Sequence, residues 1–139
     1  MKKIFLITLG LCTALFASFS KKDNIVIDNS TGLQWQDDMI SSRMSWTEAI
    51  DYCENLSVDA YSDWRLPNMV ELTSIVDDTR IFPNIDTSIF NNTMSHRYWS
   101  STTYAGHSEN AWYVGFAYAD QYYQNKNNSY YVRCVRNGQ

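Results

Sequence analysis

Ser45-Trp46-Thr47-Glu48-Ala49-Ile50-Asp51-Tyr52-Cys53-Glu54-Asn55-Leu56 is the stretch on which the fold turns. Ser45 and Glu48 stand at capping-box spacing: the serine hydroxyl accepts from the third helical N–H while the glutamate reaches back to the serine N–H. Trp46, Ala49, Ile50, Cys53 and Leu56 then recur at helical spacing, so a helix with one apolar face carries Cys53 into the core. Toward the C-terminus, Trp64-Arg65-Leu66-Pro67 reads as extended, because Pro67 biases Leu66 away from helix. Asn68-Met69-Val70-Glu71 repeats the capping arrangement and opens a second helix to about Val76. Residues 80–93 read as loop, with one helical turn near 88–90. From Tyr98 onward the pattern is strand, in segments 98–101, 111–116, 121–124 and 130–136 separated by polar turns. Toward the N-terminus, Ile25-Val26-Ile27 and Leu33-Gln34-Trp35 flank the turn formers Asp28-Asn29-Ser30-Thr31-Gly32 and read as a hairpin. Strand, two helices, then an antiparallel sheet is an α+β plan.

The 139 residues allow one domain. With 45% hydrophobic and 19% charged residues, the composition excludes a disordered polar chain and a coiled coil. A net charge of −4 without a Lys/Arg cluster excludes a nucleic-acid partner. Met1-Lys2-Lys3, the apolar run from Ile4 to Phe19 and the small residues Ala17, Ser18 and Ser20 have the layout of a signal peptide over residues 1–20. That leaves a single domain over 21–139. A lipoprotein reading at Leu9-Gly10-Leu11-Cys12 meets a bulky Leu11, and a retained anchor meets a run shorter than the roughly 20 residues that span a bilayer. Loss of the signal leaves no membrane span and removes Lys2, Lys3 and Cys12, so the remaining chain stands at −6 with Cys53 and Cys134. Two cysteines in an exported chain, periplasmic or secreted, read as one disulfide; two free buried thiols are the alternative.

Several ordered segments resemble a known family, the C-terminal domain of the Legionella collagen-like adhesin. They are Thr31-Gly32-Leu33-Gln34-Trp35, Tyr52-Cys53 with Leu56, and Tyr61-Ser62-Asp63-Trp64-Arg65-Leu66-Pro67-Asn68 with Glu71-Leu72. Tyr98-Trp99-Ser100-Ser101, Ala111-Trp112-Tyr113-Val114 and Tyr131-Val132-Arg133-Cys134-Val135-Arg136 follow, so the resemblance covers about residues 23–137. It implies a C-type lectin-like fold, two helices packed on a twisted antiparallel sheet with one helix-to-last-strand disulfide. Some members of that family are adhesins for sulfated glycosaminoglycans, and fold alone does not choose among the functions of lectin-like domains.

Eleven aromatic residues crowd positions 98–131. Tyr and Trp suit half-wet contacts with the apolar face of a sugar, while amides and carboxylates take its hydroxyls. Trp99, Trp112, Val114, Phe116 and Val132 are expected in the core. Tyr118, Asp120, Tyr122, Tyr123 and Asn125 around one turn, with Tyr104, His107 and Asn110 in the preceding loop, form the candidate ligand set. Trp64, Arg65, Leu66, Pro67 and Asn68, with Trp99 and Trp112, read as structural, and Arg65 needs a carboxylate from Glu71 or Asp63. Lys126, Arg133 and Arg136 are the nearest basic group in sequence, but three cations on a −6 chain do not make a polyanion groove, so neutral glycans are favoured over sulfated ones. Asp37-Asp38, Asp77-Asp78 and Asp59 with Asp63 supply oxygens suited to calcium, yet the Glu-Pro-Asn and Trp-Asn-Asp triplets of calcium-dependent lectins are absent. His96 and His107 lack zinc-ligand spacing. The expected set is therefore no cofactor and no metal. Neither Gly-x-Ser-x-Gly, His-Glu-x-x-His nor a phosphate loop occurs, and Ser100 or Ser101 with His96 or His107 is a pair any chain offers. The sequence thus predicts a non-catalytic binding module for a glycan or cell-surface ligand, with an envelope protein partner as the alternative.

Overall fold

The computed structural model describes residues 18–138; the expected signal peptide, residues 1–20, lies outside the described residues up to Ala17, while its Phe19 and Ser20 open the first strand. Among the described residues three strands, two helices and four strands follow one another as β1 Phe19–Lys22, β2 Ile25–Asp28, β3 Leu33–Gln36, α1 Trp46–Glu54, α2 Met69–Ser74, β4 Arg97–Thr103, β5 Asn110–Gly115, β6 Asp120–Asn125 and β7 Val135–Asn137. The strands form two antiparallel sheets, β1-β2-β3-β7 and β4-β5-β6, rather than the one sheet expected. The class remains α+β.

The difference lies at the C-terminus. Residues 130–136 were expected as one strand beside their predecessors. Instead Tyr130 and Tyr131 make isolated bridges to Met44 and Tyr98, and only β7 is a strand. It pairs with β3, Leu33 opposite Asn137 and Trp35 opposite Val135. Its other side is taken by Arg65, whose N–H donates to the Val135 carbonyl (2.8 Å) and whose carbonyl accepts from the Val135 N–H (2.9 Å). The extended Trp64–Pro67 segment thus lies along the last strand. β1 adds a strand the hydrophobic pattern hides: of its four residues only Phe19 is half-buried, meeting the Phe90 ring edge-on at 5.2 Å.

Both helices start as their caps dictate. The Ser45 N–H donates to Glu48 Oε2 (2.8 Å), and the Glu48 N–H reaches Ser45 Oγ (3.4 Å). At α2, Asn68 Oδ1 accepts from the Glu71 N–H (2.8 Å), and the Asn68 N–H donates to Glu71 Oε1 (2.9 Å). α2 stops at Ser74, short of the expected Val76. Thr73 and Ser74 turn their hydroxyls back onto the Met69 and Glu71 carbonyls (2.7 and 2.5 Å), competing with continuation of the helix. With so short a helix the cap matters: Asn68→Ala is expected to cost about 1 kcal/mol in a urea melt.

Strand alternation splits the core in two. From β4 and β5, Trp99 and Tyr113 join Ala49 and Cys53 of α1, Trp64, Leu66 and Val132. Tyr98 and Val114 join Leu72 of α2, Val26, Trp35, Phe90, Phe116 and Val135. The three-stranded sheet is therefore covered by α1 on one face and α2 on the other. Cys53 and Cys134 are disulfide-bonded with Cα atoms 5.5 Å apart, tying α1 to the residue just before β7.

The arginines complete the frame. Arg65 pairs two-pronged with Glu71 (2.7 and 2.7 Å), the first of the two carboxylates anticipated for it. The second, Asp63, takes Arg136 instead (2.6 Å). Arg133 is buried, donating to Asp37 Oδ1 (3.0 Å), the Gln36 and Asn92 carbonyls (2.5 and 2.6 Å) and Thr93 Oγ1 (2.7 Å). Lys21 of β1 also pairs with Asp37. Among the described residues no helix is long and apolar enough to cross a membrane.

Candidate functional site

The β4–β5 loop sets out an aromatic rank on the open end of the three-stranded sheet. The loop is closed by its own backbone: the Tyr104 N–H donates to the Asn110 carbonyl (2.8 Å), and the Asn110 N–H donates to the His107 carbonyl (3.0 Å). Gly106 lets the chain pass over the Tyr104 ring, since a Cβ there would stand 2.7 Å from the ring edge. Tyr104 stacks on Tyr123 at 3.8 Å and 6°, and Tyr123 stacks on Tyr122 at 4.5 Å and 20°. Tyr123 therefore lies between two rings. Its hydrogen bond to Tyr122, then that to Tyr104, pushes the phenol up to about 12. Trp112, opposite Tyr123 in the β5–β6 register, meets Tyr104 and Tyr123 edge-on at 5.7 and 5.4 Å.

Trp112 corrects the sequence reading. It was expected in the core with Val114 and Phe116, which are buried; Trp112 is half-exposed and belongs to neither core cluster. The short α2 covers the other two residues of that face, and the tyrosines cover Trp112.

The eight candidate ligand residues do not form one site. Tyr104, His107, Asn110, Tyr122, Tyr123 and Asn125 lie at or beside the rank. His107 is exposed, with Nδ1 3.6 Å from the Glu109 carboxylate and its ring 6.4 Å from Tyr104. Asn125 spends its side-chain oxygen on the Asn127 N–H (2.9 Å), a turn-forming role. Tyr118 and Asp120 sit at the other end of the β5–β6 hairpin, on a separate cleft with Phe82 and Arg97. Sequence reasoning missed Phe82 and Arg97 because both depend on partners distant in the chain.

The three basic residues near the C-terminus are likewise scattered. Lys126 lies over the Trp46 ring at 4.0 Å and donates to Thr103 Oγ1 (3.0 Å). Arg136 lies over Tyr61 at 3.8 Å besides its pair with Asp63. With Arg133 buried on Asp37, they form no common anion site. The acidic turns are also engaged: Asp59 accepts from Asn24, and Asp77 from Thr79 and Arg80. Among the described residues no three His, Cys, Asp or Glu side chains converge to hold an ion.

Comparison with protein families matches residues 24–136 to the Lcl C-terminal domain. The chain belongs to that family. The match spans all of the secondary structure from β2 to the middle of β7, including both cysteines and the whole aromatic rank. The Lcl domain here keeps its Trp64–Asn68 segment as framework: Trp64 is buried with its indole N–H on the Tyr61 carbonyl (2.9 Å), and the Pro67 carbonyl accepts from the Ser101 N–H (2.8 Å). Comparison with curated proteins found no match.

Proposed function

We propose that this chain is an exported, non-catalytic binding module, of C-type lectin-like fold, that recognises a neutral glycan or cell-surface ligand. The observation that carries the reading is the surface rank of stacked rings, Tyr104, Tyr123 and Tyr122, with Trp112 edge-on. Such a rank is rigid before any ligand arrives, which lowers the ordering cost of binding. Tyr122, at 51% exposure, has the most open ring face for a sugar, whereas Tyr123 is enclosed between its neighbours. The disulfide supports residence in an oxidising compartment, periplasmic or extracellular.

A glycan array probed with the oxidised protein, with calcium and with chelator, tests this. Selective binding of a neutral glycan is expected, insensitive to chelator because the acidic turns are occupied by protein donors. Tyr122→Ala is expected to lower affinity about tenfold or more without shifting the melting temperature, while Tyr123→Phe, which keeps the stack, binds nearly as well. Binding confined to sulfated glycans and collapsing with modest salt would contradict the neutral-ligand assignment. A second reading, an envelope protein partner, is favoured by the exposed Ile81–Phe82 pair beside Tyr118. A blank array with co-purification of a partner from envelope extracts would select it.

A further inference from the structure

The cleft at the far end of the β5–β6 hairpin has chemistry that the aromatic rank lacks. It encloses about 550 Å3 and is lined by Phe82, His96, Arg97, Gly115, Tyr118 and Asp120, among others. Three of these stand in one cross-strand row. Arg97 of β4 is directly opposite Gly115 of β5, and Gly115 is directly opposite Asp120 of β6. Residues directly opposite in antiparallel strands point to the same face, so the arginine and the aspartate flank a position that carries no side chain. That vacancy is required: a Cβ on Gly115 would stand 2.0 Å from Asp120 Oδ1. The carboxylate leans across the glycine into the cleft.

The cation and the anion share the cleft without pairing. Arg97 lies over the Tyr113 and Tyr130 rings at 4.9 and 5.6 Å, and among the described residues its one side-chain hydrogen bond goes to the Tyr130 hydroxyl (3.2 Å). The rings hold the guanidinium in place and leave most of its five donors unused. Among the described residues no carboxylate lies within ion-pair distance of it, although the other buried or half-buried arginines, Arg65, Arg133 and Arg136, each have one. Asp120 likewise makes no direct ion pair or side-chain hydrogen bond among the described residues, although its charge acts on Arg97 across Gly115. On the wall, the Phe82 and Tyr118 rings meet edge-on at 5.6 Å and are 58% and 78% exposed, leaving apolar surface beside the two charges.

We propose that this cleft is a binding site for a free α-amino acid with an aromatic or large aliphatic side chain. Arg97 takes its carboxylate, Asp120 its ammonium group, and Phe82 with Tyr118 its side chain. Each charge of the ligand meets one protein charge of opposite sign that has no direct ion pair of its own. A ligand carrying both charges spans the gap between Arg97 and Asp120 and contacts each, whereas a simple anion or amine would contact one and weaken its attraction to the other. The site is independent of the glycan assignment, since it shares no residue with the rank.

Calorimetric titration of the oxidised protein with L-phenylalanine and L-leucine tests the proposal. Saturable binding of one or both is expected. N-acetyl-phenylalanine and phenylalaninamide, which each remove one charge, are expected to bind about tenfold or more weakly. Arg97→Gln and Asp120→Asn should each lower affinity for the free amino acid by a similar factor. The matched loss is then diagnostic: Asp120→Asn should no longer discriminate against the acetyl derivative, nor Arg97→Gln against the amide. Asp120 is exposed, its side chain makes no hydrogen bond or direct ion pair among the described residues, and asparagine keeps its shape beside Gly115, so its variant remains informative even if Arg97→Gln perturbs the sheet. Absence of binding at millimolar amino acid, or equal binding of the blocked derivatives, would overturn the proposal. Retention of tyrosine-rank ligand binding in both variants would show that the two sites fail or succeed separately.

Discussion

Asp37→Asn is expected to destabilise the protein by roughly 3–5 kcal/mol, most of the stability of a typical small domain. The carboxylate is fully buried and collects three parts of the chain. It binds Lys21 of β1, Arg133 before β7, and the N–H groups of Asn91 and Asn92 (2.9 and 3.0 Å). An amide in its place leaves Arg133 charged and buried with only neutral acceptors. Burial pushes the Asp37 carboxyl up, but the Lys21 hydrogen bond and the charge and hydrogen bond of Arg133 outweigh it and hold the group below the usual carboxylate range. A depressed folded pKa means that the unfolded chain binds the proton first. Stability from this group is therefore complete above the unfolded pKa of about 4 and is lost as pH falls through the lower folded value. Urea melts between neutral pH and pH 2 should show a steep acid limb in the native protein and a shallower one in the variant. Equal acid slopes would place the acid sensitivity elsewhere.

The paired replacement Cys53→Ser and Cys134→Ser is expected to cost about 4.5 kcal/mol, the loop-closure value for the 81-residue separation. The bridge anchors α1, whose Ala49 and Cys53 are both fully buried, to the chain that crosses between the two sheets. Thermal melting with and without reductant measures the effect. The reduced native protein and the double serine variant should melt together, and glycan and amino-acid binding should both vanish at temperatures where only the oxidised form is folded. A variant that melts within a few degrees of the native protein would show that the core clusters suffice without the covalent link.

Local signals were the readable ones. Ser45 with Glu48 and Asn68 with Glu71 act over three residues, and both caps form as their spacing implies. The alternation of Ile25–Ile27 and Leu33–Trp35 likewise reports a hairpin whose partners are near neighbours. Sheet membership was not readable, because β7 has the same strand-like composition whichever edge it joins. β1 was hidden because Ser20, Lys21 and Lys22 are exposed and carry no hydrophobic period. The two cysteines were legible as a pair from their number alone. The candidate site was legible as aromatic density but not as geometry. Alternation places Trp112 with Val114, yet only the length of α2 decides which of them is covered. Gly115 within a strand was a signal of close approach. What approaches it, Asp120, emerges only from the β5–β6 register, and Arg97 only from that of β4–β5.

The pairing of β7 has a consequence for how the chain comes to exist as a folded object. Leu33 finds Asn137, Cys53 finds Cys134 and Asp37 finds Arg133 across most of the described chain. Contacts so distant in sequence cost loop-closure entropy before they return any stabilisation, which slows folding relative to a helical bundle of similar size. Without Arg133, Cys134 and β7 the N-terminal hairpin and α1 have neither their covalent link, nor the central buried cation, nor the strand that separates β3 from Arg65. The fold therefore closes late, as one unit, rather than growing outward from its N-terminal half.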